Sequence, residues 1–208
     1  MSLLALILSF FASFGLLLIA MTIHEFFHGW VAYRLGDNTA KYSGRLTLNP
    51  LAHIDPFWTL LLPMFLFVSS GGRFIFGAAK PVPINYWALK NPKRDIIFVG
   101  AAGPLSNLIL AAILSLFIKI PLPGNLSFIL SNLLIINVVL GIFNLVPIPP
   151  LDGSRILMGL LPGRLAAQYA SIEPYGFIIL MMLIWLGVFG NLIWPAVALV
   201  LRLLGVSP

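Results

Sequence analysis

Apolar residues fill long stretches of the chain, and polar residues are confined to short intervals between them. The first apolar run covers residues 3–33 and ends at Arg34-Leu35-Gly36-Asp37, where Gly36 is a helix stop. A helix of that length measures about 46 Å, against a hydrocarbon core of about 30 Å, so it must tilt or protrude. The first helix is thus expected over about 3–36. Residues 38–56 are polar and turn-rich. Residues 57–70 are apolar again, with Pro63 inside, but as a helix they cover only about 21 Å. Residues 73–85 carry Phe74-Ile75-Phe76 and Pro81-Val82-Pro83-Ile84, a pattern that reads as extended because the prolines forbid a helix. Clear spans follow at about 96–118 and 126–147, joined by a short Pro-rich turn. Residues 147–153 are a Pro-rich breaker. Residues 175–204 are apolar with interruptions near Gly190-Asn191 and Pro195, giving one kinked helix or a helix pair.

The pattern predicts an all-α polytopic membrane protein: a single membrane-embedded domain over 1–208 with about four transmembrane helices, five or six if the short segments also cross. Composition agrees. Of 208 residues, 60% are hydrophobic and 9% charged, and the mean hydropathy is +1.04. A soluble domain carries about 25% charged residues. Cysteine is absent, which removes disulfides and thiolate ligands. The first run lacks a basic leader and a small-residue cleavage site, so it is expected to be a retained helix rather than a signal peptide.

The net charge is +6. The basic residues flank apolar runs, as in cytoplasmic loops of membrane proteins, so the partner they indicate is the lipid bilayer and not nucleic acid. Arg34, Lys41 and Arg45 precede 57–70, while Arg73, Lys80, Lys90, Lys93 and Arg94 follow it. Both flanks favour the cytoplasm, so 57–70 is expected to re-enter, a short full span being the alternative. The N-terminus is then external and 38–95 lies on the cytoplasmic side. The form of the chain suggests a prokaryotic cell membrane.

Chemistry concentrates at His24-Glu25-Phe26-Phe27-His28, an H-E-x-x-H pattern. On a helix the two histidines share one face and can take two corners of a zinc tetrahedron, with Glu25 placed to accept a proton from an attacking water. Three ionisable groups within five residues of an apolar membrane helix are costly, and such groups mark function. His24 lies ten residues before Arg34, about 15 Å along the axis, which puts the site inside the bilayer toward the cytoplasm. A third ligand is needed. Asp37 and Asp95 sit among basic loop residues and read as solvated; Glu173 precedes Pro174 at a helix start, where a carboxylate suits the dipole. Asp152 stands out, after the prolines that unwind a span and before Gly153, although a turn aspartate capping the next helix is the alternative.

Two further groups are less determined. His53, in Asn49-Pro50-Leu51-Ala52-His53-Ile54-Asp55-Pro56, can polarise a substrate carbonyl, with Asp55 orienting it, or the stretch can be an ordinary turn. Asn107, in Gly103-Pro104-Leu105-Ser106-Asn107, can donate to a bound peptide or simply pack helices.

Taken together, these residues resemble the site-2 proteases, the intramembrane zinc metalloproteases of peptidase family M50. His24-Glu25-x-x-His28 resembles that family's zinc helix, and Asn144-x-x-Pro147-x-x-Pro150-Leu151-Asp152-Gly153 its second motif. Gly44-Arg45-Leu46-Thr47-Leu48-Asn49-Pro50-Leu51-Ala52-His53-Ile54-Asp55-Pro56, Phe76-Gly77-Ala78-Ala79-Lys80-Pro81-Val82-Pro83 and Gly103-Pro104-x-x-Asn107 resemble accessory stretches, in the family's order. The resemblance implies one Zn2+ per chain held by His24, His28 and Asp152, Glu25 as general base, and His53 and Asn107 as active-site polar groups. It implies a minimal form without a PDZ domain, acting on a transmembrane or membrane-inserted substrate; the extended segments 46–48 and 73–84 can pair with such a substrate by strand addition, or Phe74-Ile75-Phe76 can be a loop packing into the bilayer. The alternative is an inactive relative that binds membrane segments or carries zinc.

Overall fold

The structure is a computed structural model that describes residues 3–71 and 77–206. All regular structure among these residues is helical. α1 (Leu3–Arg34) is a single 32-residue helix. It stops where Gly36 takes a φ of +116°, a conformation that favours glycine, and Asp37 N–H returns to the Ala32 carbonyl. A short helix α2 (Thr39–Tyr42) and a turn at Pro50–His53 lead to a helical stretch at Pro56–Leu61 that continues as α3 (Leu62–Ser69). The long helices α4 (Pro92–Ile118) and α5 (Gly124–Asn144) follow. The chain closes with α6 (Asp152–Leu160), α7 (Gly163–Ala170), α8 (Gly176–Trp185) and α9 (Val188–Leu203). Four helical stretches are long and apolar enough to cross a membrane: 10–34, 92–118, 124–144 and 163–185. The chain is therefore an integral, multi-pass membrane protein.

α4 is the central helix, packed against α1, α5 and α6. Lipid tails are as apolar as leucine, so contact between these helices depends on close packing rather than on hydrophobic burial. Glycines permit it. A Cβ at Gly141 of α5 would crowd Leu108 and the Pro104 carbonyl of α4, and one at Gly159 of α6 would overlap Ile97. A buried apolar cluster joins Ala111 and Leu114 of α4, Leu134 and Val138 of α5, and Ile193, Val197 and Leu201 of α9.

The segment at 57–70 is a short helix, and the chain after it returns close to the helix start. Asp55 caps its start, its Oδ1 accepting the N–H groups of Phe57 and Trp58 at 2.9 Å each. The helix then runs beside the N-terminal half of α1, where the Phe67 and Phe10 rings lie 5.0 Å apart. By residue 78 the chain is back at its starting level, because Ala78 N–H donates to the Trp58 carbonyl at 3.1 Å. The expected pairing of Phe74-Ile75-Phe76 falls outside the described residues. Leu46–Leu48 form no strand.

Two local expectations need correction. Asp37 and Asp95 are not solvated: they are 0% and 1% exposed. Backbone donors replace water, Thr39 and Asn85 N–H groups serving Asp37 and Asn91 N–H serving Asp95. Glu173 does lie at a helix start, in the turn Glu173–Tyr175 that leads into α8, and it also forms a two-pronged ion pair with Arg155. The break in the last apolar run falls at Gly187, with φ +72°, rather than at Gly190-Asn191, and Pro195 is accommodated inside α9.

Candidate active site

His24 and His28 lie one turn apart on α1, as helical spacing dictates. The Asp152 carboxylate reaches them from the start of α6. α5 ends at Asn144, three residues before Pro147, and the chain folds back so tightly that a Cβ at Gly153 would overlap the Leu145 and Val146 backbone. That return presents Asp152 to α1. His24 Nε2, His28 Nε2 and Asp152 Oδ2 then lie 2.9, 3.0 and 3.2 Å from one another.

The proton positions follow from the other ring nitrogens. His28 Nδ1 contacts the Val99 carbonyl at 2.7 Å, and a carbonyl only accepts. His24 Nδ1 contacts Asn107 Oδ1 at 2.6 Å. The Asn107 amide is oriented by its Nδ2, which donates to the Ala20 carbonyl at 3.1 Å and to Asn137 Oδ1 at 2.8 Å. Both neutral imidazoles therefore carry hydrogen on Nδ1 and turn bare Nε2 lone pairs toward each other and toward a carboxylate. Three electron-rich atoms so placed repel unless a cation lies between them. Their separations are close to the roughly 3.3 Å edge of a tetrahedron with zinc–ligand arms of about 2.0–2.1 Å. α4 leaves the room: a Cβ at Gly103 would overlap both Nε2 atoms. The residues fit a metal ion, and among the described residues they are the one such His/Asp group.

The group faces a cavity of about 480 Å³, which Glu25, Ala79, Val82, Tyr86, Asn144 and Arg155 also line. Glu25 is half-buried, and its Oε2 accepts the Val82 N–H at 2.8 Å. Arg155, paired with Glu173, lies over the Tyr86 ring at 5.6 Å and makes one wall polar. Burial raises the Tyr86 phenol above its usual range, so it is a neutral donor.

The structure brings His24, His28, Asp152 and Glu25 together, and gives the other two predicted residues different work. Asn107 does not line the cavity: it is 0% exposed, with both amide hydrogens engaged. Its oxygen lies against His24 Nδ1 and its amide nitrogen serves α1 and α5. His53 is also 0% exposed and outside the cavity; its Nε2 donates to the Thr47 carbonyl at 2.9 Å, and Asp55 caps a helix rather than orienting it. Asn137, which steadies Asn107, escaped the sequence reading. A buried amide in an apolar span was the available signal. Asn107→Ala is expected to weaken metal affinity about 10–100-fold, the usual worth of a partner behind a metal ligand. Asn107→Asp, which keeps an acceptor for His24, should lose less. Competition with a metal-binding dye reads both.

Comparisons with known proteins agree with this geometry. Residues 121–186 match the family described as peptidase family M50. The chain is 40% identical over 190 residues, 86% of its length, to "Putative zinc metalloprotease YwhC" of Bacillus subtilis, covering 82% of that protein. It is 32% identical over 169 residues, 80% of its length, to "Putative zinc metalloprotease Rip2" of Mycobacterium tuberculosis, covering 63% of that protein. To "Zinc metalloprotease MJ0392" of Methanocaldococcus jannaschii it is 30% identical over 151 residues, 71% of this chain and 34% of that one. No solved structure matches.

Proposed function

Because the chain belongs to peptidase family M50, the site-2 family of zinc metalloproteases, we propose that it hydrolyses peptide bonds of membrane-spanning substrates, with His24, His28 and Asp152 holding zinc and Glu25 serving as base. The observation that carries this reading is the convergence of two bare imidazole nitrogens and a carboxylate beside Glu25, in a cavity inside a membrane bundle. Zinc bound there supplies a Lewis acid for the scissile carbonyl and makes hydroxide available near neutral pH. Glu25 takes a proton from the attacking water as the new C–O bond forms, and returns it to the amine as the C–N bond breaks. The apolar part of the lining, including Leu17, Met21, Phe177 and Leu180, suits aliphatic side chains.

A substrate helix must first unwind, since its carbonyls are engaged in i→i+4 bonds. Residues 77–85 offer an edge for the unwound stretch. Ala79 lines the cavity, and among the described residues its N–H and carbonyl have no protein partner. Pro81 and Pro83 have no N–H to give, so the edge is short.

The test is a detergent-solubilised peptide containing one membrane-spanning segment, with products mapped by mass spectrometry. Chelation is expected to abolish cleavage, and one equivalent of zinc to restore it. A protein that retains zinc yet cleaves none of a panel of such peptides would favour the non-proteolytic alternative.

A further inference from the structure

We propose that the backbone N–H of Val82 is the positioning group for Glu25: it holds one carboxylate oxygen and leaves the other for the attacking water. This rests on the reading of Glu25 as general base.

The bond is 2.8 Å, and among the described residues Val82 is the only donor to this carboxylate. A glutamate side chain has three rotatable bonds, so a free one loses entropy each time it reaches reacting geometry. An N–H to a carboxylate is a charge-assisted hydrogen bond, strong enough to select one orientation. It leaves Oε1 without a protein donor, which is what a base requires.

The sequence around Val82 isolates this one donor. Pro81 and Pro83 carry no N–H, and each proline disfavours helical backbone in the residue before it. The N–H groups of Ala78, Lys80 and Val82 fall on one side of the segment, the alternation of an extended chain. The first two are spent on fixing it: Ala78 donates to the Trp58 carbonyl at 3.1 Å and Lys80 to the His53 carbonyl at 2.9 Å. Arg45 Nη2 donates to the Lys80 carbonyl at 2.6 Å, and Asn85 N–H to Asp37 at 2.7 Å. The Val82 side chain is buried against Gly29 of α1, where a Cβ would lie 3.1 Å from it. The third N–H of the series is thus aimed from a rigid support. His53 and Arg45 gain a place as well, since they hold the segment that holds the base.

The test removes the N–H. Val82→Pro keeps an extended course, whereas Val82→Ala keeps the donor and loses only packing. The first readout is infrared: subtracting a Glu25→Gln spectrum isolates the Glu25 carboxylate stretch in each background. That stretch is expected to shift in Val82→Pro and stay in place in Val82→Ala. The second is kinetic: Val82→Pro should lower kcat about tenfold or more beyond Val82→Ala, the scale of one lost hydrogen bond to a charged group, with KM within about twofold and zinc retained. If Val82→Pro fails to fold, a backbone ester at position 82, introduced as α-hydroxyvaline, removes the same N–H with the side chain intact and carries the same expectation. An unmoved stretch, or a kcat equal to that of Val82→Ala, overturns the proposal. Activity surviving in Glu25→Gln would instead sink the base reading, and the infrared result would still stand on its own.

Discussion

Asp152→Ala is expected to yield a folded protein that loses its zinc on dialysis, while the wild type keeps about one per chain. Asp152 is the only carboxylate in the three-atom group, and its Oδ2 faces both Nε2 atoms. Removing it leaves two neutral nitrogens, fewer than the three protein ligands a catalytic zinc requires. The loss of affinity should exceed the roughly 10–100-fold that an outer partner such as Asn107 is worth. His24→Ala should behave alike. The fold should survive, because Asp152 caps no helix and the bundle is held by the packing of α4 on α1, α5 and α6. Size-exclusion elution in detergent with elemental analysis reads both quantities. Zinc retained at full stoichiometry without Asp152 would mean that the ligand set is wrong.

Asp152 was legible in the sequence because membrane segments make ionisable residues scarce. Six acidic residues in 208 leave few candidates, and the prolines before Asp152 announce an unwound span. His24, Glu25 and His28 were legible because helical spacing converts i and i+4 into one face. The same economy misled at Asp37 and Asp95. Lysines and arginines nearby suggested water, but what decides burial is whether backbone N–H groups are free to replace it, and turns supply them.

The roles of Asn107 and His53 were harder to read for a different reason. Spacing shows that a polar residue lies in a span or a turn, not which of its atoms are already engaged. Asn107 spends its oxygen on His24 and its nitrogen on α1 and α5, so nothing remains for substrate. The contribution of residues 77–85 was legible only as an irregular, proline-bound stretch. That one of its N–H groups meets Glu25 is a contact between residues 57 positions apart, and no local pattern encodes it.

Glu25→Gln separates metal binding from chemistry, and it should have the largest effect on turnover. The variant is expected to keep zinc at the wild-type level, because His24, His28 and Asp152 are untouched. It should also keep its local structure: the glutamine carbonyl oxygen can still accept from Val82 N–H, as Glu25 Oε2 does at 2.8 Å. What it loses is the ability to accept a proton from water and return it to the leaving amine. That function contributes about 10²–10⁴-fold to rate, and kcat on the membrane-spanning peptide should fall by that factor. KM should change little, since the apolar lining and the Ala79 edge are intact. Such a protein would bind substrate without releasing it as product, so a crosslinker in the peptide should trap the complex for mapping. Undiminished cleavage by Glu25→Gln would mean that Glu25 is not the base.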